Sequence, residues 1–199
     1  TAGNDKAADL MFMPAVLEQH GLGSFTNSEL TKLMAGKQVS LKVSLDDYLR
    51  RLSGNTTPKD LKTYMEMIYM TFTGLTVTPD EFTAMQNLYK GLIQNQAQTP
   101  NIVFQKKVQE YLYSSPNKQV FGVSDIEKAN REDILSIIRE QLANAAEFTF
   151  VFSGNFDEAE LKALVEQYIA TLPSVKGKKQ ELKHSPAVEI KSGNEERIS

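Results

Sequence analysis

Phe148, Phe150 and Phe152 alternate with Thr149, Val151 and Ser153, a two-residue period that places β-formers on both faces. This pattern predicts an interior, central strand covered on at least one side. Gly154 and Asn155 then turn the chain, and Asp157 with Glu160 three positions on predicts a capped helix start. Phe156 is placed to pack on Leu161 as a hydrophobic staple. Leu161, Leu164, Val165, Tyr168, Ile169 and Leu172 form one apolar face, and Pro173 ends the run.

Upstream, the period is mostly helical. Asp5 to His20 predicts a helix with Ala8, Met11, Phe12, Ala15 and Val16 inward, bent at Pro14 and closed by Gly21. Thr26 and Glu29 open a short helix with Leu30, Leu33 and Met34 on its buried side, ended by Gly36. Alternation over Lys37 to Leu45, a turn at Asp46 and Asp47, and a second run over Tyr48 to Ser53 predict a hairpin. Thr57, Pro58 and Asp60 start a helix that buries Leu61, Tyr64, Met65, Ile68, Tyr69 and Phe72. Thr78, Pro79 and Glu81 start another, reaching about Gln96, with Phe82, Met85, Leu88, Tyr89 and Leu92 inward. After Pro100 the inward positions are Ile102, Val103, Val108, Tyr111 and Leu112, and a loop spans Pro116 to Gly122. Ser124 and Glu127 cap a short turn, and Ile134, Ile137, Ile138 and Leu142 mark the helix that feeds the phenylalanine strand. Strands and helices interleave without regular alternation, and helix outnumbers strand. The fold class is therefore α+β, with helices layered on a mainly antiparallel sheet.

Composition narrows the class without adding chemistry. The chain has 199 residues, 41% hydrophobic and 24% charged, enough for one core. Its net charge of -3 offers no field for a polyanion, so nucleic acid is not an expected partner. Cysteine is absent, which removes disulfides and thiolate metal sites but does not fix a compartment. No run approaches the roughly 20 apolar residues of a membrane span, and the N-terminus carries no leader pattern. The expected piece is a mature soluble one: Thr1 to Pro173 as the domain, and Ser174 to Ser199, rich in Lys, Glu, Ser and Gly, as a linker, with an ordinary polar terminus as the equal alternative on composition.

The expected site chemistry is negative. His20 and His184 are the two histidines, and neither belongs to H-E-x-x-H or H-x-x-E-H. Two imidazoles without cysteine give no self-contained hydrolytic zinc site, which takes three protein ligands. His20 suits a helix C-terminus, and His184 lies in the polar tail. No G-x-S-x-G elbow is present, and Gly21-Leu22-Gly23 lacks the preceding strand of a nucleotide fingerprint. Asp46-Asp47, Asp80-Glu81, Glu132-Asp133 and Asp157-Glu158 sit at turns or helix starts, where capping and the macrodipole account for them. Lys176, Lys178, Lys179 and Lys183 read as a solvated basic run, with docking to an acidic neighbouring domain as the alternative. The aromatics Tyr64, Tyr69, Phe72, Tyr89, Tyr111 and Tyr113 read as core, a few of them available to a peptide-binding surface. No catalytic, cofactor-binding or metal-ligating residue is assigned.

The segments DLKTYMEMIYMTFTGLTVTPDEFTAMQ and SGNFDEAELKALVEQYIATLP resemble the pitrilysin/insulinase family of zinc metallopeptidases. GLGSFTNSELTKLMAGKQVSL is similar to the long bacterial members, and the resemblance extends from about Ala7 to Pro173. It implies related α+β domains in two halves around a peptide chamber, with H-x-x-E-H in the first domain. This chain lacks that motif and resembles a zinc-free homologous domain, the third of four, with IKSGNEERIS like the start of the linker to the last. No family ligand or base transfers to a position here. Arg131, Arg139 and Tyr168 do not match the arginine and tyrosine that assist from the later half, which the resemblance places beyond Ser199. The implied role is a structural, substrate-enclosing domain of an exported or periplasmic zinc metalloendopeptidase, with zinc and hydrolysis in another domain. Its partners would be the parent's other domains and the enclosed peptide. The alternatives are a non-catalytic assembly or binding subunit of the same fold, and a free-standing module binding through a sheet edge.

Overall fold

Thr26 and Glu29 close a reciprocal capping box at the start of α2 (Asn27–Leu33). The Thr26 N–H donates to Glu29 Oε2 at 2.8 Å and the Glu29 N–H to Thr26 Oγ1 at 3.3 Å. Asp157 does the same work for α8 (Glu158–Leu164), its carboxylate accepting from the Glu160 N–H at 2.9 Å. These local signals act as the sequence predicts, and the computed structural model describes residues 6–46, 49–113 and 120–175.

Two predicted caps are built differently. Thr57 makes no side-chain bond to a backbone N–H; its hydroxyl donates to Asp60 Oδ2 at 3.2 Å, and that oxygen also accepts the Gln38 N–H at 3.0 Å. The Thr57–Asp60 pair thus secures the chain before the hairpin. At α6 (Val123–Lys128) the N-cap is Gly122, whose N–H donates to Asp125 Oδ2 at 2.9 Å, in place of a Ser124 cap.

The other elements are α1 (Ala7–Glu18), β1 (Gly21–Leu22), β2 (Val39–Leu45), β3 (Arg50–Thr56), α3 (Leu61–Gly74), β4 (Leu75–Thr76), α4 (Pro79–Gln96), α5 (Pro100–Leu112) and α7 (Arg131–Leu142). A π-helical turn, Val165–Ile169, extends α8. The described residues form a helical α+β fold with two small antiparallel sheets, β1 with β4 and β2 with β3. The hairpin's second strand runs to Thr56 rather than Ser53, in register from Val39 opposite Thr56 to Leu45 opposite Arg50. Tyr48 and Asp47 lie outside the described residues.

The chain divides into two compact units. One takes 6–15 and 79–134 of the described residues. Its core is centred on Phe12, which is fully buried. The Phe12 ring meets Phe82 and Tyr89 edge-on, both at 5.6 Å between centroids, and stacks on Phe121 at 6.1 Å. Asp9, 6% exposed, accepts the Asn130 N–H at 2.7 Å, while Asn130 Oδ1 accepts the N–H groups of Glu132 and Asp133 to start α7. Leu88, Leu92 and Val103, predicted inward, are exposed, and α5 buries no residue. The first three turns of α4, with Phe82, Met85 and Tyr89, face this core while Leu88 and Leu92 do not, so the apolar period continues past the packed contact.

The second unit takes 16–78 and 135–175 of the described residues. The hairpin buries Val43 and Leu45, and α3 buries Leu61, Met65, Ile68 and Phe72. Gly54 sits where a Cβ would lie 2.0 Å from the Ser40 carbonyl oxygen, so only glycine permits this strand approach. The phenylalanine segment corrects the predicted central strand. Phe148 has β-region angles, φ −100° and ψ 146°, and burial alternates from half-buried phenylalanines to exposed Thr149, Val151 and Ser153. Yet among the described residues it joins no sheet. The period of a strand is present and its ladder partner is not.

Candidate functional site

Arg50, at the start of β3, organises the surface on which the phenylalanine segment lies. Its guanidinium donates to the Gln141 carbonyl at 2.8 Å and to Glu147 Oε2 at 2.5 Å. The same group lies 5.0 Å from the centroid of the Phe148 ring. Phe72 of α3 packs edge-on against Phe148 at 5.0 Å and tilts against Phe150 at 6.0 Å. The phenylalanine face is thereby fixed to α3 and to the hairpin. Val151, on the opposite face, is 81% exposed.

Beyond Arg50, β3 and this segment line a trough of about 200 Å³. Gly54 to Pro58 form one wall, Val151 to Phe156 the other, and Leu61, Tyr64 and Leu161 complete it. None of the lining residues carries a charge. Burial holds the Tyr64 phenol above its ordinary range, so it stays a neutral hydroxyl. An uncharged trough without a titratable acid, base or thiol near neutrality offers shape and backbone groups rather than bond-breaking chemistry.

The residues weighed for chemistry are dispersed. His20 is half-buried, its Nδ1 sits 2.8 Å from the Leu17 carbonyl, and burial holds its pKa below the ordinary histidine value. No group of three His, Cys, Asp or Glu side chains placed to hold a metal occurs among the described residues. The donor set around His20 therefore does not fit a hydrolytic zinc. His184 and the lysines from Lys176 onward lie outside the described residues. Arg131 pairs with Glu132. Tyr168 donates to Glu66 Oε1 at 3.1 Å, and burial followed by the Glu66 carboxylate raises its pKa. Asp80, Glu81, Glu132, Asp133 and Glu158 occupy first helical turns, as capping and dipole arguments predict. Gly21 is structural: a Cβ there would lie 2.3 Å from the Phe25 carbonyl oxygen. No short motif marks the trough, because its two walls are about a hundred residues apart in sequence; of its aromatics, Tyr64 alone belongs to the set available to a peptide surface. No helix among the described residues is long and apolar enough to cross a membrane.

The Peptidase M16 inactive domain family matches residues 128–198. The probable zinc protease PqqL of Escherichia coli is 22% identical over 152 residues, 76% of this chain and 16% of that protein. The crystal structure of the periplasmic protease PqqL from Escherichia coli shares the fold with a TM-score of 0.73 at 19% identity, over 96% of this chain and 21% of that one. The ferredoxin protease FusC, solved in complex with Arabidopsis ferredoxin, matches at a TM-score of 0.63 and 15% identity, over 96% of this chain and 20% of that one. A protease from Helicobacter pylori matches at a TM-score of 0.63 and 12% identity, over 96% of this chain and 46% of that one. The chain thus spans 16% of the curated relative and 21% of the solved PqqL chain. These matches bear out both the α+β fold and the resemblance to a non-catalytic domain of the pitrilysin/insulinase family.

Proposed function

We propose that this chain, similar to the inactive domain of the pitrilysin-type peptidases, is a zinc-free wall of a longer zinc metalloendopeptidase. Thr1 to Pro173 form the domain and Ser174 to Ser199 the linker toward a following one. The domain encloses peptide substrate and holds the remaining domains in register, while hydrolysis takes place in another domain of the parent. Its partners are those domains and the enclosed peptide. The likeness to the Escherichia coli protease, which is described as periplasmic, supports an exported, periplasmic setting.

The observation that carries this reading is the match of residues 128–198 to a domain described as inactive. The absence of a metal-holding cluster around His20 among the described residues and the 16% of the curated relative that the chain spans support it. In physical terms, an enclosing wall excludes water and orients an extended substrate without contributing an acid, a base or a metal ligand.

The test is made on the parent polypeptide. Its sequence should contain H-x-x-E-H outside this chain, and replacing that motif's glutamate with glutamine should abolish hydrolysis of unfolded peptides without changing the exchange protection of this domain. A parent that lacks the motif yet folds and assembles with partner proteins would favour an assembly subunit instead.

A further inference from the structure

Two unpaired backbone edges flank the uncharged trough. In its two-stranded sheet β3 is bonded to β2 on one side only, leaving its other edge open among the described residues. The facing wall is the phenylalanine segment, and among the described residues no backbone hydrogen bond is made by Thr149 to Asn155. The two walls run in the same direction, since Arg50 sits on Phe148 while Gly54 to Thr56 share the trough with residues from Val151 onward. Unpaired strand edges are templates for pairing, and a strand between two of them would bond to both at once, at about 4.8 Å to either side. The sequence pattern carries apolar or β-branched residues on both faces of this segment, as interior strands do.

We infer that this trough is a slot for one extended strand supplied by parent polypeptide outside Thr1 to Ser199, uncharged and alternating in apolar residues, which joins β3 and the segment Phe148 to Ser153 into one sheet. The occupant's chemistry follows from the walls. No lining side chain is charged, and Leu61, Tyr64, Phe152, Phe156 and Leu161 present apolar surface. A charged strand would be desolvated there without a counter-ion. Pairing along both edges also favours a resident strand over a substrate, which must leave after each turnover. On the reading proposed above, the polypeptide beyond this chain, which spans 16% of its curated relative, provides the strand. The inference rests on the reading of this chain as part of a longer protein. It does not depend on catalysis, so the two can fail separately.

Hydrogen–deuterium exchange over residues 146–156 tests it, measured on this chain and on the full parent. Alternate amides along Thr149 to Ser153 are expected to exchange freely in the chain alone and about 100-fold more slowly in the parent. Val151→Pro removes a ladder donor from an exposed position, so it should leave the chain's thermal midpoint unchanged while destabilising the parent and erasing the added protection. Equal exchange in both proteins would overturn the inference, as would a parent indifferent to V151P. Protection that rises with concentration in the chain alone would assign the slot to a second copy, and protection that appears in the parent only when unfolded casein is added would assign it to substrate. Either result contradicts a resident strand.

Discussion

Arg50 donates to Glu147 at 2.5 Å across 97 positions of sequence, and this pair fixes the entry to the phenylalanine segment. The side chains are only 21% and 11% exposed, so neither charge can return to water without moving the segment. Removing one partner of such a pair leaves the other desolvated, at a cost of about 3 kcal/mol. Arg50→Ala is expected to lower the urea midpoint and to weaken the packing of Phe148 on Phe72, read as a loss of near-ultraviolet circular dichroism. Arg50→Lys should recover part of the loss, because lysine keeps the charge but not both hydrogen bonds.

Asp9 and His20 set opposing pH limits. Asp9 has its pKa raised, first by burial, with the Asn130 N–H opposing and Asp133 adding to the rise while Lys6 offsets it. A carboxyl raised in the folded state contributes stability that is complete below its unfolded pKa and is lost as pH climbs through the folded one. Asp9→Asn keeps an acceptor for Asn130, so it should stabilise the protein at pH 7 and have little effect below about pH 4. His20 is lowered by burial, with the Leu17 carbonyl opposing, so its penalty develops as pH falls below about 6.5. His20→Gln should flatten the acid side of the curve. Chemical denaturation at stepped pH values reads both effects, and an unchanged slope in either variant would contradict the corresponding assignment.

Two glycines predict opposite responses to alanine. At Gly54 the new Cβ would lie 2.0 Å from the Ser40 carbonyl oxygen and 3.0 Å from Tyr64, inside the hairpin that walls the trough. Overpacking against backbone costs about 1–3 kcal/mol, and the exchange protection of β2 and β3 should fall with it. Gly91 lies inside α4 with nothing within 4 Å of the position a Cβ would take. Gly91→Ala should therefore raise stability by about 0.5–1 kcal/mol. Thermal unfolding of the two variants side by side provides the check.

Phe12 marks the core of the other unit. It is fully buried among Phe82, Tyr89 and Phe121, and Phe12→Ala is expected to cost about 3–5 kcal/mol. Phe12→Leu should cost less, since it loses the aromatic geometry but fills most of the volume. Equilibrium denaturation that places both variants within 0.5 kcal/mol of the parent sequence, roughly the effect of a surface change, would contradict a core role.

Local chemistry was the most legible part of the sequence. The Thr26–Glu29 box, the Asp157 cap and the buried stripe of α3 each depend on residues within one or two helical turns. Non-local geometry was not legible in the same way. Arg50 carries no signal that it meets Glu147, and the apolar period of α4 continues through Leu88 and Leu92 although neither is buried. Alternation at Phe148 to Phe152 identified a strand-like segment but could not say which strand pairs with it, because pairing is set by the partner's position and not by the segment's own pattern. Two isolated histidines and no cysteine restrict what the chain can ligate, but they do not mark where a trough lies. The trough depended on bringing residues 54–58 beside residues 151–156, which no short motif encodes.

On the proposed function, hydrolytic chemistry is housed outside this chain. The most direct measurement combines the zinc content of the purified chain after equilibrium dialysis against micromolar zinc with its turnover of an unfolded peptide, with and without chelator. Far less than one bound zinc per chain and no chelator-sensitive cleavage are expected. One tightly held zinc per chain together with chelator-sensitive turnover would contradict that function.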